Sequence, residues 1–166
     1  MDLQALVRDV PDFPIPGVLF RDISPILASP AALRHALDRM ASHVDMDAVD
    51  VVVGVEARGF ILGAAMAARF GKGFVPMRKA GKLPPPVQSL SYALEYGKAT
   101  LEMREGSGRA LLVDDVLATG GTLNAAIALC ENSGYEVVDI AVLINLVKLH
   151  NMSFRGRPIP SVLNYD

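Results

Sequence analysis

The sequence predicts an α/β fold with a mainly parallel central sheet flanked by helices. Strand-like and helix-like patterns alternate along the chain, and a strand–helix–strand order with short connections occurs twice. The runs at 48–55 and 109–115 are almost continuously apolar, which is typical of strands that are covered on both faces. The length of 166 residues suits one domain, residues 1–166.

The first elements are delimited by proline. The segment PDFPIPG at 11–17 cannot form a helix, because each proline removes a backbone donor and fixes its own φ angle. Ser29 is then a predicted N-cap with Pro30 at the first helical position. The apolar face of this helix is expected to carry Leu33, Leu37, Met40 and Val44.

The remaining elements follow the same alternation. In order, they are a strand at 48–55, a helix at 59–70 closed by Gly71, strands at 73–77, 99–105 and 109–115, a helix at 121–133 followed by Gly134, and a strand at 136–147. Residues 78–98 hold three successive prolines and four basic residues and match no packed element. A loop of that length in a compact domain is usually functional, so we expect a functional loop there.

Composition restricts the class of function. Sixteen basic against eighteen acidic residues give a net charge of −2, which argues against a general nucleic-acid binder. Cys130 is the one cysteine and lies among apolar residues of a predicted helix, so we expect it to be buried and inert. The absence of a leader pattern and of an apolar run of about 18 residues predicts a cytoplasmic protein.

The stretch VDDVLATGGT at 113–122 gives the clearest indication of a binding site. Asp114 and Asp115 end a strand that is predicted to be buried, and carboxylates there need hydroxyls, a cation or water as partners. Vicinal sugar hydroxyls can donate to such a pair. The ATGGT loop, residues 118–122, then offers small residues, threonine hydroxyls and backbone N–H groups at a helix start, which suit a phosphate. We therefore expect one site for a phosphorylated sugar at the carboxyl end of the sheet.

VDDVLATGGT also resembles the phosphoribosyl-pyrophosphate (PRPP) signature of type I phosphoribosyltransferases. Further segments resemble the adenine phosphoribosyltransferase family, in order and at the expected spacing: FPIPGVLFRDISPIL (13–27), GVEARGFILGAAMA (54–67), VPMRKAGKLP (75–84) and YALEYGKATLEM (92–103). The resemblance covers about residues 10–145 and weakens beyond them.

The resemblance implies the type I phosphoribosyltransferase fold, with a small hood and a flexible catalytic loop. Hood segments would be about 10–27 and 145–166, and the PRPP-binding core would be about 48–145. The implied reaction belongs to purine salvage and converts adenine and PRPP to AMP and pyrophosphate. Mg²⁺ carried mainly by PRPP, without dedicated protein ligands, and a homodimer are implied as well.

The resemblance also implies roles for individual residues. Asp114 and Asp115 would bind the ribose hydroxyls and stabilise positive charge on the reacting sugar. The 5′-phosphate would lie on Ala118, Thr119, Gly120, Gly121 and Thr122. The pyrophosphate would meet Arg58, Lys79 and Lys82, with Arg78 nearby. Glu95 and Tyr96 would belong to the catalytic loop, where Glu95 would act as an acid or base on the purine. Adenine would meet Leu19, Phe20 and Arg21, with Phe20 stacking on the ring.

Two features complete these expectations. The loop at 56–59 is expected to hold a non-proline cis peptide, and His150 is expected to be a surface residue. Two alternatives stay open at this point: a hypoxanthine or guanine phosphoribosyltransferase, and a non-enzymatic regulator that senses PRPP or purines.

Overall fold

The computed structural model describes residues 1–94 and 97–166, which divide into two units, residues 1–39 and residues 40–166. In the first unit a 3₁₀ turn is followed by an antiparallel hairpin and two helices: β1 (Arg8–Pro11), β2 (Leu19–Asp22), α1 (Ser24–Ala28) and α2 (Pro30–Ala41), whose last two residues belong to the second unit. The hairpin and α1 were not predicted.

The hairpin explains what the proline-rich segment does. Pro11 pairs with Leu19, and residues 12–18 form the connection between the two strands. The Asp12 carboxylate accepts the Gly17 N–H at 2.8 Å, which closes the connection. Segment 11–17 is therefore not helical, as predicted. Ser29 caps α2 by accepting the Ala32 N–H at 3.3 Å, also as predicted, but the helix ends before Val44.

The second unit is built around a mixed sheet. Its elements, in order, are β3 (Val51–Val55), α3 (Arg58–Phe70), β4 (Gly73–Lys79), β5 (Gln88–Ala93), β6 (Lys98–Met103), β7 (Gly108–Leu117), α4 (Gly121–Asn132), β8 (Tyr135–Leu146), β9 (Ser153–Phe154), β10 (Arg157–Pro158) and β11 (Ser161–Tyr165). Among the described residues the strand order in the sheet is β11-β8-β7-β3-β4-β6-β5. The pairs from β11 to β4 are parallel, and those of β6 are antiparallel, so the predicted mainly parallel sheet is confirmed.

Helix α3 approaches the sheet closely through glycines. A Cβ on Gly54 of β3 would lie 2.6 Å from the Gly59 carbonyl oxygen, and one on Gly59 would lie 3.0 Å from the Val113 carbonyl oxygen. Real Cβ atoms essentially never show the first distance, and the second is tighter than nearly all real contacts. The first turn of α3 therefore reaches β3 and β7 because these positions lack a Cβ. This approach brings the start of α3 next to the carboxyl half of β7.

The core of the second unit lies between the sheet and α4 and consists of aliphatic residues with few aromatics. Cys130 belongs to it and is fully buried, and burial raises its pKa to about 12, which confirms it as a buried thiol and makes it unreactive. No α-helix in the described part of the chain has both the length and the apolarity that a bilayer-spanning helix needs.

Three features of this unit differ from the sequence prediction. Residues 78–98 are not one long loop, because β5 pairs with β6 from Gln88 to Ala93. Its alternating burial places Leu90 and Tyr92 against the core, and the period of two was masked by the prolines before it. Strand β7 runs two residues past Asp115, so the carboxylates lie within the strand rather than at its end. The third difference is β11, which adds a parallel edge strand to the sheet within segment 145–166.

Candidate active site

The carboxylate pair of β7 is buried. Asp114 and Asp115 are only 8% and 7% exposed. The Asp115 N–H donates to Asp114 Oδ1 at 2.9 Å, which fixes the first side chain against the backbone. Burial, followed by the neighbouring charge of Asp115, raises the pKa of Asp114 well above its ordinary value. The free protein therefore carries a carboxyl group that is costly to ionise in this place.

Arg58 is the first residue of α3 and contacts this pair. Its Nε lies 2.7 Å from Asp115 Oδ2, forming an ion pair without the angle of a good hydrogen bond, and that oxygen has no hydrogen-bond partner among the described residues. The neighbouring residue, Gly59, makes the approach possible, because a Cβ there would lie 3.0 Å from Asp114 Oδ1. The predicted ribose and pyrophosphate residues are thus in direct contact.

The ATGGT loop follows β7 and leads into α4. A small cavity of about 80 Å³ lies beside it, lined by Asp114, Val116, Leu117, Ala118, Thr119, Gly120, Thr122 and Leu123. Gly120 is the N-cap of α4 at φ 88°, a left-handed conformation that glycine adopts without strain. The Thr122 hydroxyl lies 3.2 Å from the Tyr92 hydroxyl of β5. The structure therefore brings Asp114 and four of the five predicted phosphate residues, all but Gly121, together in one cavity.

Glu56 organises the basic turn, which we define as residues 78–83. Its Oε2 accepts the Lys79 N–H at 2.9 Å and lies 3.4 Å from Arg78 Nε, and its Oε1 accepts from Lys82 Nζ. Burial by itself would raise the pKa of Glu56, but the bonds to Lys82 and Lys79 lower it overall. The Glu56–Ala57 peptide is cis, as expected. Because Arg58 follows directly, the two groups of predicted pyrophosphate residues meet at this loop.

Glu102 of β6 holds the basic turn and is a candidate site residue that sequence reasoning missed. It is 4% exposed, and its Oε1 accepts the N–H groups of Lys82 and Leu83 at 2.9 and 2.8 Å. The bond from the Leu83 N–H is the main cause that lowers the pKa of Glu102. The only signal in the sequence was a glutamate between two apolar strand residues. Its contact with the basic turn becomes evident only from the pairing of Arg78 with Glu102 across the two strands.

The predicted base-binding residues lie in the first unit. Leu19, Phe20 and Arg21 are in β2; Leu19 is exposed and Phe20 is half-buried. The Phe20 ring packs edge-on against Phe13, with the ring centroids 5.1 Å apart, and Arg21 pairs with Asp9. The two predicted catalytic-loop residues, Glu95 and Tyr96, lie outside the described residues.

A larger cavity of about 210 Å³ lies elsewhere in the second unit, lined by His43, Asp139, Ile140, Phe154, Arg157, Pro158, Ile159 and Pro160. Asp139 pairs with Leu111 in the amino half of β7, away from the carboxyl ends of the strands. None of the predicted site residues lines it, whereas Asp114 and most of the ATGGT loop line the smaller cavity.

Comparisons with known proteins show the family to which this chain is related. The family model for the phosphoribosyl transferase domain matches residues 22–153. The chain is 54% identical to the adenine phosphoribosyltransferase of Bdellovibrio bacteriovorus over 99% of this chain and 100% of that protein. The crystal structure of adenine phosphoribosyltransferase from Rhodothermus marinus is similar with a TM-score of 0.89 and 44% identity, covering 98% of this chain and 96% of that one. The Saccharomyces cerevisiae enzyme, crystallised with adenine and an imino-altritol bisphosphate, gives a TM-score of 0.88 and 32% identity over 97% and 96% of the two chains.

Proposed function

Because this chain belongs to the phosphoribosyl transferase domain family, we propose that it transfers the 5-phosphoribosyl group of PRPP to adenine, giving AMP and pyrophosphate. The observation that carries this proposal is the buried pair Asp114 and Asp115 beside the ATGGT loop, in a chain whose named relatives are adenine phosphoribosyltransferases. The same relatives support adenine over hypoxanthine or guanine, and an enzyme over a regulator.

The ribose end of the reaction follows from the carboxylate pair. Two vicinal sugar hydroxyls would donate to Asp114 and Asp115, supplying the partners that the buried oxygens need. As the bond from C1′ to pyrophosphate breaks, positive charge develops on the sugar, and two fixed carboxylates in a buried place stabilise it. The 5′-phosphate would lie on the backbone N–H groups of residues 118–122 at the start of α4.

The pyrophosphate end follows from the basic residues. Arg58, Lys79 and Lys82 would neutralise the departing pyrophosphate, and the Arg58 guanidinium can bind two phosphate oxygens at once. In the free protein Arg58 pairs with Asp115, and Lys82 pairs with Glu56. Binding of PRPP would therefore exchange these internal ion pairs for contacts to phosphate, while Glu56 keeps the Lys79 backbone in place.

The base end rests on the family resemblance. Adenine would stack on Phe20 and bond to the backbone of Leu19 and Arg21. Glu95 would act as an acid or base on the purine, and the catalytic loop with Glu95 and Tyr96 would close over PRPP. Closure excludes water, which would otherwise capture the reactive ribosyl centre.

Mg²⁺ fits this site as a companion of PRPP. In the described ranges 1–94 and 97–166, no three His, Cys, Asp or Glu residues are grouped as metal ligands. The ion would keep its waters and bind mainly to the pyrophosphate and hydroxyls of the substrate, beside the carboxylates of Asp114 and Asp115. When bound, it supplies charge neutralisation for the leaving group. We also propose that the enzyme is cytoplasmic and that it forms a homodimer. Size-exclusion chromatography with light scattering would test the homodimer.

The direct test is an assay of AMP formation from adenine, PRPP and Mg²⁺, with hypoxanthine and guanine run in parallel. We expect AMP and pyrophosphate with adenine, and at least about 100-fold lower kcat/KM with either oxopurine, because a site that bonds a purine edge strongly rejects the wrong donor pattern. Comparable rates with an oxopurine would contradict the adenine assignment. Binding of PRPP without turnover of any base would contradict the enzyme assignment.

The role of the basic turn gives a separate prediction. Replacing Glu102 with alanine removes the acceptor for the N–H groups of Lys82 and Leu83, so the turn that carries Lys82 should loosen. We expect the KM for PRPP to rise about 10-fold while the KM for adenine changes less than about 2-fold. Glu102→Gln keeps a carbonyl acceptor and should recover most of the loss.

Steady-state kinetics with each substrate varied in turn would check this. Glu105→Ala is a matched control, because this glutamate is two residues past β6 and its side chain bonds to Gln88 instead of the turn. An equal rise in both KM values for Glu102→Ala would indicate general loosening and contradict a specific effect on PRPP.

A further inference from the structure

His150 is not the simple surface residue that the sequence suggested. It is half-buried and makes two hydrogen bonds through its ring. The Met152 N–H donates to Nδ1 at 2.9 Å, and the other nitrogen, Nε2, lies 2.7 Å from Asn145 Oδ1. Since Nδ1 accepts, it carries no proton, so the proton is on Nε2 and is donated to Asn145. Both bonds together select this one tautomer.

The two partners of His150 lie beside two points of the chain near the ATGGT loop: the residue just before the loop and the glycine in its middle. Asn145 is opposite Leu117, the last residue of β7 and the residue directly before the loop. Met152 lies over Gly120, since a Cβ built on Gly120 would lie 3.1 Å from the Met152 Sδ and 3.5 Å from its Cβ. His150 thus links the strand beside the loop's beginning to the side chain that covers the loop's N-cap glycine.

This arrangement restricts a segment that has little structure of its own. Between β8 and β9 the chain forms only a 3₁₀ turn, Val147–Leu149, and the residues of that turn are exposed. Met152 nevertheless packs against the core cluster of the unit. The ring of His150 supplies side-chain bonds that fix where this segment crosses the loop. Without them, Met152 would keep its apolar contact but lose the bond that sets its position over Gly120.

We propose that His150 is a positioning residue for the phosphate-binding loop, holding Met152 over Gly120 through its bonds to Asn145 and the Met152 N–H. The inference rests on the proposed function, because it takes residues 118–122 as the phosphate site. A fixed Met152 keeps Gly120 in its left-handed conformation and keeps the N–H groups at the start of α4 oriented before the ligand arrives. Preorganisation of this kind lowers the cost of ordering the loop on binding.

The test uses three replacements at one position. His150→Ala removes both bonds. His150→Asn keeps an oxygen near the place of Nδ1, where it can accept the Met152 N–H, and loses the bond to Asn145. His150→Gln keeps a donor near the place of Nε2 and loses the bond to Met152. His43→Ala is the matched control, because this histidine is exposed and lines the other cavity.

The readouts are the dissociation constant of ribose 5-phosphate by calorimetry, and kcat and both KM values. For His150→Ala we expect about 5- to 10-fold weaker binding of ribose 5-phosphate and the same rise in KM for PRPP, as the loss of one or two hydrogen bonds would give. The kcat and the KM for adenine should change less than about 2-fold. His150→Asn should bind nearly as well as the wild type, His150→Gln nearly as poorly as His150→Ala, and His43→Ala like the wild type.

The outcomes separate this inference from the proposed function. Failure of the wild-type protein to bind ribose 5-phosphate would overturn the proposed function and this inference with it. Wild-type binding with unchanged affinity in His150→Ala would overturn the inference alone. A fall in melting temperature for His150→Ala without any change in affinity would assign His150 a purely structural role and would overturn it too. Should His150→Ala fold poorly, His150→Asn and His150→Gln each keep one of the two bonds and still decide the question. Only His150→Gln, which loses the bond to Met152, should bind ribose 5-phosphate more weakly.

Discussion

Replacing Asp114 with asparagine should make the free protein more stable and the enzyme nearly inactive. The side chain is 8% exposed, and its pKa is raised well above 3.8 by burial and by the charge of Asp115. Asparagine has nearly the same shape and can still accept the Asp115 N–H, but it carries no charge to bury. We expect a gain of about 1 kcal/mol in the free energy of unfolding, which is about 2–4 °C in melting temperature for a chain of this size.

The loss of activity follows from the same charge. In the proposed reaction the carboxylate stabilises a sugar that becomes positive in the transition state, and a neutral amide does this poorly. Removing one preorganised electrostatic partner of a transition state costs about 100-fold or more in kcat. Stability gained and activity lost in one variant is the expected signature of a residue kept for function at the expense of the fold.

The stability difference between Asp114→Asn and the wild type should depend on pH. A carboxyl group whose pKa is higher in the folded state binds more protons when folded, so the folded state loses stability as the pH rises from about the unfolded value, 3.8, towards the folded value. In Asp114→Asn this loss is absent. The stability advantage of the variant should therefore be small near pH 4 and grow with rising pH. Urea unfolding at several pH values would measure it.

Asp139→Asn is a matched control for this prediction. Asp139 also lies in a strand and also accepts the N–H of the following residue at 2.9 Å, but it is half-buried and pairs with the amino half of β7. It should change neither stability, within about 0.5 kcal/mol, nor activity. Destabilisation of Asp114→Asn would contradict the cost of burying this charge. Full activity in the variant would contradict the use of the charge in the reaction.

Much of the candidate site could be predicted because the residues that indicate it are contiguous in the chain. Asp114, Asp115 and the ATGGT loop lie within nine residues, and a strand followed by a helix places them at one edge of a parallel sheet wherever the strand lies. The position of Arg58 could be predicted in the same way. It begins α3 shortly after β3, and β3 lies next to β7 in the sheet. The alternation of strands and helices likewise predicted the parallel part of the sheet.

The parts that could not be predicted depend on contacts between distant residues. Glu102 contacts the basic turn only because β6 runs antiparallel to β4 and places its carboxylate beside the N–H groups of Lys82 and Leu83. His150 is meaningful only beside Asn145 and Met152, and Met152 only beside Gly120, thirty-two residues earlier in the numbering. The short strand β11 carries too few residues to be distinguished from a C-terminal tail without its neighbour β8.

A double-mutant cycle on Arg58 and Asp115 should separate the resting ion pair from its role in the reaction. Arg58→Gln leaves the Asp115 carboxylate, whose side chain is 9% exposed, without the cation 2.7 Å away, and we expect a loss of about 1–2 kcal/mol in the free energy of unfolding. Asp115→Asn in the same chain removes the unpaired charge, so the double variant should recover at least about 1 kcal/mol relative to Arg58→Gln.

Activity should not recover in that double variant. In the proposed mechanism Arg58 leaves Asp115 and binds pyrophosphate oxygens when PRPP arrives, while Asp115 receives a ribose hydroxyl, so each residue then acts on the substrate instead of on the other. Both single variants and the double variant should therefore lose about 100-fold or more in kcat/KM for PRPP. Stability by urea unfolding and kinetics with PRPP varied would be measured on all four proteins. Recovery of activity together with stability would mean that the pair acts only through its mutual contact, and would contradict the transfer of Arg58 to the pyrophosphate.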